Sequence, residues 1–109
     1  MVLLNVSSIN AFAETYKVKV YSNKYSKYGV STTSVDTPGC SLYIGCKFLY
    51  SSNELNKTFS VYRDASLTGP TYLSVGASSQ HVIYNAKEVI GTHRVIGRDG
   101  NRFSKTTKA

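Results

Sequence analysis

Lysine and tyrosine residues are interleaved in the stretch YKVKVYSNKYSKY, which spans residues 16–28. Lysine ammonium groups attract phosphate and carboxylate groups, and exposed tyrosine rings offer flat faces on which sugar rings or nucleobases stack. The stretch therefore predicts a binding surface for an anionic polymer. Its members are Lys17, Lys19, Tyr21, Lys24, Tyr25, Lys27 and Tyr28. An edge strand that lysines protect against aggregation would give the same pattern, so a purely structural interpretation stays open.

A second basic cluster occurs in the sequence THRVIGRDGNR. Arg98 and Arg102 flank the pair Asp99-Gly100, which is a strong signal for a two-residue hairpin turn. Guanidinium groups bind phosphate and carboxylate in a bidentate manner. We therefore predict that Arg94, Arg98 and Arg102 contribute to anion binding. The alternative is a hairpin tip whose charges are only solvated.

Three acid–base residues and one arginine allow a catalytic alternative. Glu88 as general base, His81 or His93 as general acid, and Arg94 as the phosphate-binding group would suit a small secreted ribonuclease. Secreted microbial ribonucleases share the broad composition of this chain. However, the sequence contains no motif of such an enzyme, and no segment forms the helix that those enzymes pack on their sheet. We therefore predict a protein without catalytic activity and without a cofactor.

The two cysteines, Cys40 and Cys46, lie in the segment CSLYIGCKFLY. A disulfide requires Cα atoms within about 7 Å, whereas six steps along an extended strand separate the two by about 20 Å. Alternation of apolar side chains favours an unbroken strand with two buried thiols, while an oxidising compartment would favour the bond. Together with His81 and His93, the cysteines match no metal-ligand spacing, so we predict no metal site.

The elements that must position these residues are β-strands, because apolar and polar side chains alternate with a period of two from Glu14 onward. The best strand places on one face Cys40, Leu42, Ile44, Cys46, Phe48 and Tyr50. The predicted strands cover residues 15–22, 30–35, 40–50, 57–63, 71–75, 80–84, 88–97 and 101–105. About eight short strands separated by turns predict an all-β fold, a small antiparallel β-sandwich or barrel in one domain.

Several local features carry expectations of their own. Turn-forming residues predict loops at residues 64–70, 76–79 and 85–87. Gly91 predicts a β-bulge. Apolar residues at both ends of the strand at 88–97 predict that both of its faces are covered. The terminal residues 106–109 are expected to fray.

The N-terminal residues 2–13, VLLNVSSINAFA, are uncharged and end in a small-x-small pattern, Ala11-Phe12-Ala13. This pattern is typical of a signal-peptidase site, and the apolar run is too short to span a bilayer. A first β-strand or a frayed arm is the structural alternative. We predict a signal peptide at residues 1–13, in truncated form, followed by a single secreted domain at residues 14–109.

The chain contains 13 lysine and arginine residues against 6 acidic residues, for a formal net charge of +7. Such a charge attracts polyanions without specifying one. We predict a secreted, non-catalytic protein that binds an anionic polymer or membrane surface, such as the cell wall or lipid headgroups. A protein target is compatible with the composition, and nucleic acid is less favoured. Some small secreted bacteriocins of Gram-positive bacteria share this build, so an antimicrobial toxin is the first alternative and a ribonuclease the second.

Overall fold

The protein is an all-β sandwich, seen in a computed structural model that describes residues 16–81 and 84–109. Its strands are β1 (Val18–Lys24), β2 (Tyr28–Val35), β3 (Ser41–Ser52), β4 (Lys57–Thr68), β5 (Tyr72–Ser78), β6 (Asn85–Ile96) and β7 (Arg102–Lys108). A three-stranded sheet has the order β1-β2-β5, and a four-stranded sheet has the order β4-β3-β6-β7. Every pairing is antiparallel. The predicted fold class is confirmed, with seven strands among the described residues in place of about eight.

Strand β3 confirms the predicted alternation. The six side chains predicted to face inward, at every second position from Cys40 to Tyr50, are all buried. Both cysteines are free and buried, so the prediction of one unbroken strand without an internal disulfide is confirmed. Burial raises the pKa of the Cys40 and Cys46 thiols. Each thiol therefore packs as a small apolar group in its protonated form.

The core consists of two hydrophobic clusters separated by a polar layer. The first cluster contains Tyr16, Val18, Val20, Val35, Cys40, Leu42, Val95 and Phe103. The second contains Cys46, Phe48, Tyr50, Val61, Ala77 and Val89. Between them, β6 places Gly91 and His93, and both residues are buried. The described residues form no apolar helix of membrane-spanning length. The predicted signal peptide at residues 1–13 lies outside the described residues.

The predicted loops at residues 64–70, 76–79 and 85–87 are mostly wrong. Strand β4 continues to Thr68 because each of its residues pairs with β3, and the chain turns only at Gly69, whose φ is 116°. Residues 76–78 belong to β5, and residues 85–87 begin β6. In each case hydrogen bonds to a neighbouring strand outweigh local turn preference. The predicted strand at 80–84 includes residues outside the described part, and Gln80, His81 and Tyr84 are not in a strand.

Two predictions about β6 are also wrong. Gly91 pairs in regular register with Cys46 on one side and Thr107 on the other. The bulge lies instead at Lys87, where the register with β3 shifts between Leu49 and Tyr50. Only one face of β6 is fully covered, since buried residues alternate with exposed ones from Gly91 to Ile96, and Ile90 on the outer face is half-buried. A glycine is required at position 91 because neighbouring hydroxyl groups occupy the space of a Cβ atom.

The β6–β7 hairpin is confirmed, but its turn differs from the predicted one. Arg98 and Asp99 occupy the centre of the turn, and the Gly100 N–H donates to the Gly97 carbonyl at 3.0 Å. Gly100 itself has a φ of 86°, which a glycine adopts without strain. The predicted fraying of residues 106–109 is wrong. Ala109 exchanges two backbone hydrogen bonds with Val89, of 2.9 and 3.0 Å, which fix the chain end to β6.

Candidate functional site

The lysine- and tyrosine-rich stretch forms the β1–β2 hairpin, and the structure divides it into two separate regions. Lys17 and Lys19 lie at the open end, beside Asp36. Tyr25 and Tyr28 lie at the tip, where their rings stack with centroids 4.8 Å apart. Seven strand steps of about 3.3 Å separate Lys17 from Lys24, so the predicted residues do not form one site.

Part of the charge in this hairpin is already used within the fold. The Lys24 ammonium donates to the Lys87 carbonyl at 3.2 Å. At the open end, the Asp36 carboxylate accepts the Lys17 backbone N–H at 2.8 Å. This hydrogen bond lowers the pKa of Asp36, so the carboxylate stays ionised close to Lys17 and Lys19. The net positive potential at this end is reduced accordingly.

Arg94 and Arg102 lie together on the outer face of the four-stranded sheet, whereas Arg98 does not join them. Arg94 pairs with Ser104 on β7, and Arg102 is two residues before Ser104 on the same face. Such diagonal neighbours have backbones about 7–8 Å apart. Arg98 sits in the β6–β7 turn and packs its side chain against Gly39. The structure therefore brings two of the three predicted arginines into one surface.

These two arginines border an open depression of about 280 Å³. Its polar lining residues are Ser41, Tyr43, Ser66, Arg94, Arg102 and Ser104. They come from all four strands of the sheet, since Ser66 lies on β4 and Ser41 on β3. Among the described residues no acidic side chain lines this depression. The remaining lining residues, Leu42, Val95, Ile96 and Phe103, are apolar. The polar part of the lining offers hydroxyl groups and cations to a ligand, which suits an anionic group.

Tyrosine side chains hold Arg94 in place at the border of this depression. The Arg94 guanidinium carbon lies 4.3 Å from the centre of the Tyr43 ring, a cation–π contact. The Tyr43 hydroxyl donates to Asp64 Oδ2 at 3.2 Å. It also contacts the Tyr62 hydroxyl at 2.5 Å. Because Tyr43 has only one proton to donate, Tyr62 is the donor in that bond. The order of donation is Tyr62 to Tyr43 to Asp64.

This chain of hydrogen bonds keeps the Tyr62 phenol group protonated. The bond to Tyr43 raises the pKa of Tyr62 to about 12, because ionisation would remove the donated proton. Gly45 provides the space, since a Cβ atom at this position would collide with the Tyr62 hydroxyl end. The Tyr62 ring thus extends from β4 across β3 along the sheet. At neutral pH Tyr62 therefore acts as a hydrogen-bond donor and an aromatic surface, and not as a base.

The residues of the catalytic alternative are not brought together. His93 is fully buried, with its ring nitrogens bonded to Thr33 and Thr107. Glu88 and Arg94 are six residues apart on β6, about 20 Å along the strand. His81 is bonded to the Tyr50 hydroxyl at 2.8 Å. Within the described part of the chain, no group of three His, Cys, Asp or Glu side chains is arranged to hold a metal ion.

Sequence reasoning missed the Tyr43, Tyr62 and Asp64 group. Alternation in the segment around β3 does place Tyr43 on the face opposite the core, which the structure confirms. Alternation does not give the register between strands. In this register Tyr43 on β3 pairs with Arg94 on β6, a strand that is far away in the sequence. Neither a protein-family model nor a curated protein matches this chain.

Proposed function

We propose that this protein is a non-catalytic binder of an anionic cell-surface or extracellular polymer, and that Arg94 and Arg102 carry the binding. The observation that supports this proposal is the depression of about 280 Å³ that both arginines border, in which the described lining is free of acidic side chains. Two guanidinium groups on diagonal positions contact one anionic group from two sides or two neighbouring groups on one polymer.

The surroundings of Arg94 favour binding in two ways. The Tyr43 ring restricts the side chain before a ligand arrives, so less conformational entropy is lost on binding. The net charge of +7 attracts a polyanion from a distance and increases the association rate. The long-range attraction is screened by salt, whereas the bidentate contacts at the depression are screened less.

The test is a charge-matched comparison with two soluble polyanions, polygalacturonate and polyphosphate, by isothermal titration calorimetry at low and moderate salt. The variant Arg94→Gln/Arg102→Gln removes two charges at the depression. The control Lys57→Gln/Lys87→Gln removes two charges from exposed positions elsewhere. We expect the arginine variant to bind at least about tenfold more weakly, since charge-assisted hydrogen bonds contribute roughly 1.5–3 kcal/mol each.

The control should change affinity by less than about twofold at moderate salt, because remote surface charges are screened. Equal losses in the two variants would mean that binding depends on total charge and not on this depression. Full affinity in the arginine variant would place the binding surface elsewhere. Either result would overturn the proposal.

A further inference from the structure

Tyr62 provides an aromatic surface next to the two arginines. Its hydroxyl end lies over Gly45, so the ring extends along the sheet and does not project away from it. Nearly half of the side chain, 46%, nevertheless stays exposed. The hydrogen bond to Tyr43 fixes the position of the ring. A fixed, exposed tyrosine ring that lies along a flat sheet is a surface on which a sugar ring can stack.

Hydroxyl groups surround this ring on the same face. By register, six outward positions near Tyr62, Tyr43 and Arg94 carry hydroxyl groups, and the face also includes Lys47, Asp64 and Ile96. The six positions are Ser60, Ser66, Thr68, Thr92, Ser104 and Thr106. All six of these side chains are exposed. A hydroxyl group both donates and accepts hydrogen bonds, and so does each hydroxyl of a sugar. The face is therefore chemically matched to a ligand that carries many hydroxyl groups and some negative charge.

We propose that the anionic ligand is an acidic polysaccharide, with one sugar ring on Tyr62 and a carboxylate or phosphate of a neighbouring residue on Arg94 and Arg102. This inference rests on the proposed function, because it assigns the chemical class of the polymer bound at the same depression. The backbones of β4 and β6 are separated by β3 and lie about 10 Å apart, and the Tyr62 ring reaches across β3 toward Arg94. Arg102 lies one strand further away, on β7. A disaccharide spans the separation between β4 and β6.

Nucleic acid and lipid fit this face less well. Proteins that bind single-stranded nucleic acid combine a row of cations with several aromatic rings for successive bases. Here one exposed ring lies beside two arginines. The tyrosines at the β1–β2 tip instead stack on each other. A lipid surface calls for several apolar side chains that project into the bilayer, whereas the exposed side chains of this face mostly carry hydroxyl groups or charges, with Ile96 as an apolar exception.

Three variants separate the contributions of the ring, the phenol group and the charges. Tyr62→Ala removes the ring, Tyr62→Phe retains the ring without its hydroxyl, and Arg94→Gln/Arg102→Gln removes the charges. Tyr72→Ala is the control, because Tyr72 is exposed to 57% on the other sheet. Binding of each protein to polygalacturonate, polyphosphate, poly(U) RNA and phosphatidylglycerol vesicles is measured, and circular dichroism verifies the fold of each variant.

We expect Tyr62→Ala to weaken polygalacturonate binding about five- to tenfold, as loss of one stacking contact implies. Its affinity for polyphosphate, which has no sugar ring, should change less than about twofold. Tyr62→Phe keeps the ring but loses its bond to Tyr43, so it should lose less affinity for polygalacturonate than Tyr62→Ala does. Tyr72→Ala should bind polygalacturonate like the parent. The arginine variant should lose affinity for both polymers.

The outcomes distinguish the two proposals. If Tyr62→Ala binds both polymers like the parent while the arginine variant loses both, the polysaccharide assignment is wrong and the proposed function stands. If the arginine variant binds like the parent, the proposed function itself fails. Tighter parental binding to poly(U) or to the vesicles than to polygalacturonate would overturn the assignment in favour of nucleic acid or lipid.

Discussion

Strand β6 separates two polar regions of the sandwich, one in the core and one on the outer face of the four-stranded sheet. Consecutive residues of the strand face opposite regions. His93 points into the core and is fully buried, while Arg94 points outward and is exposed. Hydroxyl-bearing side chains accompany both. On the inner side, every buried side-chain nitrogen and oxygen of the described residues has a hydrogen-bond partner. On the outer side, most hydroxyl groups face solvent. Similar side chains therefore support folding in one region and are available to a ligand in the other.

The inner region is a continuous chain of hydrogen bonds across the core. His93 Nδ1 contacts Thr33 Oγ1 at 2.8 Å, and its Nε2 contacts Thr107 Oγ1 at 2.7 Å. Thr107 in turn contacts Ser22 at 2.6 Å, and Ser22 contacts Ser31 at 2.8 Å. These bonds connect both sheets between the two hydrophobic clusters. A buried network of this kind stabilises the fold only when all its members are satisfied.

The largest effect is expected from Gly91→Ala. A Cβ atom at Gly91 would lie 2.4 Å from Ser22 Oγ and 2.6 Å from the hydroxyl groups of Ser31 and Thr107. The substitution therefore pushes these three hydroxyl groups apart, breaks the hydrogen bonds between them and leaves buried polar atoms unpaired. We expect a loss of about 3 kcal/mol in the free energy of unfolding, measured by urea denaturation.

Gly76→Ala is the matched control, because a Cβ atom there would meet nothing closer than 3.6 Å. We expect that variant to change the free energy of unfolding by less than about 1 kcal/mol. If Gly91→Ala were equally mild, the core would adapt to the extra methyl group. The inner region would then tolerate an added methyl group as well as the exposed position of Gly76 does.

A smaller effect is expected from pH. Burial lowers the pKa of His93 from 6.5 to about 4. Between pH 6.5 and pH 4 the unfolded chain binds a proton at His93 that the folded protein does not bind. The contribution of His93 to the free energy of unfolding therefore falls as the pH decreases from 6.5 to 4. Above pH 6.5 it is constant. We expect a loss on the order of 2–3 kcal/mol across that interval.

Two measurements examine this pH dependence. An NMR titration of the ring protons of the folded protein should show His93 titrating near pH 4, because both ring nitrogens are bonded inside the core. Denaturation of His93→Gln across the same interval should show a weaker pH dependence than the parent, since the titrating group is gone. A His93 that titrates near its ordinary pKa would show that water reaches the inner region.

The inner face of β3 was predictable from sequence because alternation along one strand is a local property. The same rule places His93 and Arg94 on opposite faces of one strand, which argues against using both in the catalytic alternative. The outer site depends on the register between strands that are far apart in sequence, as in the pairing of Tyr43 with Arg94. Local pattern does not contain that information. The predicted β1–β2 stretch failed as a single site because residues close in sequence lie far apart on an extended strand.

The smallest effect is expected from the open end of the β1–β2 hairpin. Lys17→Gln/Lys19→Gln removes two charges, as the arginine variant does, but the ionised Asp36 lies beside them. We expect polygalacturonate affinity to fall less than about threefold, mainly through long-range charge, and the loss to vanish at moderate salt. Calorimetry on the two double variants at equal net charge tests this directly. A larger loss from the lysine pair than from the arginine pair would place the anion site on the three-stranded sheet, because total charge is the same in both proteins and only position differs.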